Sequence, residues 1–322
     1  MPNLLRVLGF ALLGFSSLAA AQGWPAKPVR IVVAYPPGGG IDVMTRQIAE
    51  RLTQAWGQPV VVENKPGANT IVATDAVAKS APDGYTVLMT TDATFSINPH
   101  LYKKLPFDTQ RDFMPVTMLV LLQQMLVAHP ALPASTLDEL IKLAKAKPGS
   151  INYASYGSGS QPHLSGEMLK NKAGIDLVHV PYKGISLAVP AVMAGEVQLT
   201  FAGIATSTAP LKAGRIKALA IGGTQRSPLF PQVPTFAELG FPEVETHAWF
   251  GFFVPAGSPR EAVTRIYQDT KKVLDDPEFR QKQLIDRGYE VVGSGPDEFA
   301  AYIRKDSESR ARAVKISGAR AE

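Results

Sequence analysis

The chain contains no cysteine in 322 residues. That excludes disulfides, thiolate zinc sites, iron–sulfur ligation and a cysteine nucleophile together. Histidine is almost as scarce. The five are His100, His129, His163, His179 and His247, with no H-E-x-x-H and no pair close in sequence, so a dedicated transition-metal site is not expected. Charge is sparse as well: Asp, Glu, Lys and Arg make up 19% and the net charge is +5. The basic residues are dispersed except for Arg304, Lys305, Arg310, Arg312, Lys315 and Arg320, and acidic residues interrupt that tail. No basic stripe interleaves with aromatics, so no nucleic-acid partner is expected. A mildly basic balance favours small anions only through a diffuse field.

Beyond the N-terminus no stretch is apolar enough to span a bilayer, which needs about 20 residues. The N-terminus itself has one charge, Arg6, then the apolar run Val7 to Phe15, then small residues ending Ala19-Ala20-Ala21. This is the order of a secretory signal peptide over residues 1–21, cleaved near Ala21. No Cys stands at the cut, so a lipid anchor is excluded. The mature protein is expected in the periplasm, soluble and monomeric.

Hydrophobic residues make up 45% of the chain, and at roughly 150 residues per domain its length suggests two domains. Short apolar runs alternate with helical periodicity. Val29–Ala34, Val60–Val62 and Tyr85–Met89 read as strands. Between them, Met44, Ile48, Leu52 and Trp56 recur every four residues on one helical face, with Asp42 as N-cap and Gly57 as stop. Thr70–Lys79 is Ala-rich and helical. This β-α-β-α-β order implies parallel strands with right-handed crossovers. The second half repeats the style. A capping-box pattern at Ser135–Glu139 opens a helix, and strands follow at Ile151–Ala154, Asp176–Val180, Val197–Phe201 and Lys217–Ile221. Trp249–Val254 is a late apolar strand, and helices follow at Arg260–Leu274, Glu278–Arg287 and Pro296–Val314. Two extended connections, Phe113–Ala128 and Pro242–Val254, divide the chain into lobe one (residues 24–121 plus 248–322) and lobe two (122–247). A double connection of this kind suits hinge closure around a ligand.

Four polar stretches follow strands, where open α/β sheets bind ligands. The first is Gly38-Gly39-Gly40-Ile41-Asp42, a turn that lets backbone N–H groups approach an anion. It is not a dinucleotide fingerprint, because Val43 stands where the third Gly belongs, and it is not a P-loop. A tight turn without a ligand explains the same glycines equally well. The second is Thr90–Pro99, with Thr91, Thr94 and Ser96. The third, Ser155–Gln161, carries Ser155, Gly157, Ser158, Ser160 and Gln161 ahead of His163. The fourth, Gly203–Thr208, includes Ala205 and Thr206. Catalytic arrangements fare poorly. G-x-S-x-G is absent, carboxylates are scattered, and His163, four residues before Glu167, has no assignable nucleophile. Lys183, in Tyr182-Lys183-Gly184, sits where it can reach a cleft, although a solvated loop Lys is the commoner case.

Taken together, these segments resemble the exported solute receptors of tripartite tricarboxylate transporters, the Bug family. The resemblance spans nearly the whole mature chain. It is carried by Pro37–Asp42 with Arg46, Val61–Ala68, Pro82–Thr86, Asn98–Tyr102, His163–Glu167, His179–Gly184, Val233–Glu238 and Phe253–Pro259. It implies an α/β, two-lobed, Venus-flytrap (type II-like periplasmic-binding-protein) fold with two hinge crossover strands. The implied role is to bind a small carboxylate or amino acid between the lobes without cofactor or metal and deliver it to membrane permease subunits. Carried over by position, the ligand-binding residues are Tyr35, Gly38, Gly39, Asp42, Thr91, Thr94, Ser96, Ser155, Gly157, Ser158, Ser160, Gln161, His163, Gly203, Ala205 and Thr206. The chain departs from the pattern at Asn69-Thr70-Ile71 and Pro190-Ala191, and the bulkier first-lobe loop is expected to reshape the pocket for an aromatic or branched acid. Two other roles fit the same cleft: a ligand-sensing receptor for a membrane histidine kinase and an exported hydrolase.

Overall fold

The computed structural model describes residues 23–317 apart from Thr224 and Glu245, so the signal-peptide reading of residues 1–21 lies outside the described residues. Apolar runs of about five residues form strands and the amphipathic stretches between them form helices. The first half runs β1 (Val29–Val33), α1 (Gly40–Trp56), β2 (Val60–Asn64), α2 (Ile71–Ala78), β3 (Thr86–Thr91) and α3 (Asn98–Leu101). Strand β1 lies between β2 and β3, parallel to both. The face of α1 predicted from its four-residue period is the buried one. Met44, Ile48 and Leu52 are each at most 2% exposed, and each contributes about 1.5–3 kcal/mol by leaving water. Gly57 ends α1 in the left-handed conformation, its N–H bonded to Thr53 O.

The long strand β4 (Phe113–Ala128) leaves this sheet and enters a second one. Residues up to Gln123 pair antiparallel with β9 (His247–Pro255). From Gln124 onwards the partner is β7 (Leu199–Gly203). The second sheet also holds β5 (Asn152–Ser155), β6 (Val178–Pro181) and β8 (Lys217–Ile221). Its helices are α4 (Leu137–Ala146), α5 (Gln161–Ala173), α6 (Ile185–Ala194) and α7 (Ile204–Lys212). The return strand β9 pairs antiparallel with β3, so the chain closes back on the first sheet. There follow α8 (Arg260–Asp275), α9 (Pro277–Phe279), β10 (Tyr289–Val291, antiparallel to β4) and α10 (Pro296–Ser317). The two sheets build two lobes with separate apolar cores. One centres on Trp249, Phe252, Phe253 and Phe299. The other contains Tyr153, Phe201 and Phe236.

Three local expectations need correction. Asp42 is not the N-cap of α1; Gly39 is, and Asp42 stands in the first turn. From there its Oδ2 accepts the Gly38 N–H at 2.9 Å, a reach-back toward the donors that precede the helix. Thr90–Pro99 is no open loop. It comprises the end of β3, a π-turn at Ala93–Ile97 and the start of α3. The stretch expected as a helix over 278–287 is three pieces: α9, a π-turn at Arg280–Leu284 and a 3₁₀ turn at Ile285–Arg287.

Candidate functional site

A cleft lies where the lobes meet, and the space between its walls, including the part open to solvent, is about 570 Å³. Lobe one supplies Tyr35, Pro36, Gly39 and Gly40 from the β1–α1 loop, Thr91 from the end of β3, and Phe250 and Tyr289 from β9 and β10. Lobe two supplies Tyr156, Ile185 and Ser186, then Gly203, Ala205 and Thr206. Leu122 and Gln124 come from β4, the strand shared by both sheets. No charged side chain lines this cleft among the described residues.

The donors are backbone groups. The N-termini of α1, α6 and α7 all line the cleft, and their N-caps are Gly39, Gly184 and Gly203. A helix leaves its first N–H groups without intrahelical acceptors, and a side chain at the N-cap normally takes one. Glycine has no such side chain, and none of the three helices has a side-chain cap bond. Each N-terminus favours an anion by about 0.3–1 kcal/mol, up to roughly 2 kcal/mol when partly buried. The hydroxyls beside them are neutral. Burial pushes the Tyr35 phenol well above its usual range, so it remains protonated, 3.0 Å from Thr91 Oγ1. Gln124 donates from Nε2 to the Tyr156 hydroxyl at 3.0 Å, and its buried Oε1 has no hydrogen-bond partner among the described residues. An unmatched buried acceptor of this kind favours a donor from a ligand or from water.

Of the predicted residues, Tyr35, Gly39, Thr91, Gly203, Ala205 and Thr206 line this cleft. Gly157 and Ser158 line an adjoining chamber of about 610 Å³ that shares Tyr35 and Tyr156 with it. The others stand behind these walls and shape them. Burial pushes the Asp42 carboxyl up, but hydrogen bonds from Arg46, Gly38 and Asn64 outweigh it and hold the group ionised below its ordinary range. Asn64 Nδ2 bonds both Asp42 Oδ1 and the Tyr35 carbonyl, so Asp42 fixes the loop that carries Tyr35, Gly38 and Gly39. Thr94 is fully buried, 2.7 Å from Thr70 and 2.6 Å from Thr90. Ser96 is fully buried in the same π-turn.

In lobe two, Ser160 Oγ donates to Gly157 O at 2.6 Å, and Ser155 Oγ accepts the Gly157 N–H at 3.1 Å. His163 Nδ1 accepts the Gly159 N–H at 2.9 Å, and Gln161 Nε2 donates to Ser165. These bonds set the backbone that presents Gly157 and Ser158. The fold also brings together two histidines far apart in sequence: His163 stacks on His179 at 4.0 Å. No group of metal-ligating side chains is formed among the described residues.

Sequence reasoning missed Tyr156, Gln124, Phe250, Tyr289, Ile185 and Ser186. One signal was available for Gln124: together with Gln123 it interrupts the apolar run Met118–Ala128 at the point where β4 changes sheets. Phe250 lies in the apolar run Trp249–Val254 and Tyr289 in no motif, and both are buried residues that line the cleft where the lobes meet.

Residues 44–318 match the model of the tripartite tricarboxylate transporter family receptor. The chain belongs to this family. The protein BugT of Bordetella pertussis is 34% identical over 323 residues, covering 99% of each chain. Among solved structures, a Rhodopseudomonas palustris protein with adipate is 31% identical with a TM-score of 0.89, covering 92% of this chain and 99% of that one. MatC from the same organism, with bound malate, is 29% identical with a TM-score of 0.85, covering 91% and 100%. The receptor therefore has the two-lobed periplasmic-binding-protein fold and a solute-binding role. No described helix is long and apolar enough to cross a membrane.

Proposed function

We propose that this receptor captures a small carboxylate in the inter-lobe cleft and presents it to the permease subunits of a tripartite tricarboxylate transporter. The single observation that carries the ligand class is the convergence of three glycine-capped helix N-termini on a cleft without charged side chains. Such a site stabilises a carboxylate by oriented N–H groups and dipoles. It offers no carboxylate to an ammonium, which favours acids over amino acids. The adipate and malate held by the two Rhodopseudomonas palustris proteins agree with that class.

The same reading has the protein exported with its first 21 residues removed, working as a monomer in the periplasm. It divides the chain into lobes at 24–121 plus 248–322 and 122–247, in keeping with the change of strand partner between Gln123 and Gln124. The binding residues proposed are Tyr35, Gly39, Thr91, Gly157, Ser158, Gly203, Ala205 and Thr206, with the remaining predicted residues acting through the loops they hold. Turnover is not part of the role. The one Ser–His pair in the loop region, Ser155 Oγ to His179 Nε2 at 2.7 Å, is closed to a substrate, because Ser155 is fully buried and its Oγ is engaged by Gly157.

The test is thermal melting of refolded, ligand-stripped mature protein against mono-, di- and tricarboxylates, aromatic acids and amino acids. A ligand specific for the native state at 100 times its Kd stabilises by about 2.7 kcal/mol. A rise with one acid class, and recovery of the compound unchanged, is the expected outcome. A flat response to every acid overturns carboxylate capture, and conversion of the compound overturns the receptor reading.

A further inference from the structure

Behind the cleft, three charged side chains are buried together. Asp92, directly after β3, is fully buried, Arg310 of α10 is 1% exposed and Asp306, one turn before it, is 6% exposed. The Arg310 guanidinium lies 3.5 Å from Asp92 Oδ2 and 3.3 Å from Asp306 Oδ1. One cation therefore serves two carboxyl groups, and ionising both leaves a net negative charge away from water. The two carboxyls are not equally provided for. Asp306 Oδ2 accepts the Trp249 Nε1–H at 2.8 Å, and His247 Nε2 lies 4.0 Å from its Oδ1. Neither oxygen of Asp92 has a hydrogen-bond donor of good geometry among the described residues. A buried carboxylate without donors is the less stable of the two, and carboxylates sharing one site disfavour each other's charge. Burial, opposed by Arg310 and reinforced by Asp306, accordingly raises the Asp92 carboxyl to about 7. This charge is also felt in the cleft. Thr91, the preceding residue, lines it. Burial raises the phenols of Tyr35 and Tyr156, one from each lobe, and the Asp92 charge adds to both.

We propose that Asp92 is a proton-binding site linked to the cleft, so that the receptor takes up a proton from solvent together with its carboxylate. An ionised Asp92 repels an anion in the cleft, and the anion favours the protonated acid by the same free energy. With the proton on Asp92, Arg310 and Asp306 remain as a neutral pair. Below pH 7 Asp92 already holds its proton, and affinity does not change with pH. Above 7 the ligand-free protein has lost the proton and must regain it on binding, so affinity falls as the pH rises. Loss of the proton loosens the ligand. The inference rests on the carboxylate reading of the cleft.

The test is isothermal titration of refolded mature protein with acetate, lactate, succinate, malate, adipate and benzoate, in buffers of low and high ionisation enthalpy. The dependence of the heat on the buffer gives the protons taken up per ligand bound. With an acid that binds, the wild type is expected to take up about half a proton or more at about pH 7.5. It should bind that acid roughly tenfold more weakly at about pH 8.5 than at about pH 6.5, the effect of unit charges about 10 Å apart at an effective dielectric near 20. Asp92→Asn keeps the shape of the protonated acid, and is expected to take up no proton and to bind equally well at both pH values. His247→Gln removes the imidazole beside Asp306 and should retain the uptake. Infrared difference spectra of the wild type on adding the acid should show a gain of protonated-carboxyl absorption, a readout that needs no variant to fold. Binding without proton uptake overturns the proton site and leaves the carboxylate reading standing. Uptake that persists in Asp92→Asn has the same consequence. Binding of no acid overturns both.

Discussion

At the scale of single residues, the walls of the cleft depend on a half-buried histidine and a fully buried carboxyl group, neither of which lines it. Burial, reinforced by His163 and Lys170, pulls the His179 imidazole from 6.5 down to about 3. The unfolded chain takes up this proton below pH 6.5, whereas the folded one resists it until about pH 3. Stability from His179 is therefore complete above 6.5 and is lost as the pH falls from 6.5 toward 3. Asp92 behaves in the opposite sense. Burial, with Asp306 adding to it and Arg310 opposing, raises its carboxyl from 3.8 to about 7. Its contribution is complete below 3.8 and is lost as the pH rises through 7. Between pH 6.5 and 3.8 the two contributions oppose each other in the wild type, so each is read from its own variant as a difference from wild type. His179→Gln keeps a partner for Ser155 but cannot titrate, so its urea midpoint should gain on that of wild type as the pH falls from 6.5 toward 3. Asp92→Asn should gain on wild type in mildly alkaline buffer. A constant gap between His179→Gln and wild type from pH 7 to pH 4 would show that the His163–His179 stack does not resist protonation.

At the scale of elements, the site depends on three helices whose N-caps are glycine. Gly203 has φ −62° and ψ 152°, a conformation any residue adopts at an N-cap, so its lack of a side chain is not forced by the backbone. A Cβ there would meet Leu122 at 3.5 Å, an ordinary contact. Gly203→Ser is therefore expected to fold. A serine at an N-cap takes one of the N–H groups at the start of the helix and supports it by a few tenths of a kcal/mol relative to Gly. That same N–H is lost to the ligand. The expected result is a ligand-free melting temperature equal to or above wild type together with an affinity lower by roughly tenfold. Unchanged affinity would remove α7 from the site.

The strands were legible in the sequence as short apolar runs, and α1 by its period and single buried face of Met44, Ile48 and Leu52. The π-turn after β3 was not. Thr94 and Ser96 there read as ligand-binding, but both are fully buried, and Thr94 pairs with Thr90 and with Thr70, a partner set by the third dimension. Eight of the sixteen predicted residues line the cleft or the adjoining chamber. Glycines and hydroxyls after strands mark positions where backbone donors gather. They do not tell which hydroxyl faces the ligand and which, like Thr94, holds the loop behind it.

At the scale of the whole molecule, one residue belongs to both hinge and site. The Gln124 backbone lies where β4 changes sheets, accepting from Gly222 N at 2.9 Å and donating to Thr246 O at 3.1 Å. Its side chain donates to the Tyr156 hydroxyl in the cleft wall. A ligand that bonds both walls interacts fully only when the lobes are together, so binding shifts the population toward that form. The lobes meet in this structure where Gly184 touches Pro36 and Gly39 approaches Ile185 at the 3.4 Å spacing its Cβ would have. Gly184 has φ 166°, extended backbone that alanine adopts freely, so Gly184→Ala changes the inter-lobe contact without straining its own loop. The methyl group would stand 2.8 Å from the Pro36 ring, and overpacking of this kind costs about 1–3 kcal/mol, here charged only to the closed form. That corresponds to roughly 5- to 150-fold in affinity. Small-angle scattering with saturating ligand should show the wild type contracting relative to the ligand-free protein, and Gly184→Ala contracting less at equal occupancy. Its ligand-free melting temperature should match wild type. A variant that loses ligand-free stability by the same amount as affinity would place the contact in the folded core of one lobe rather than between the two.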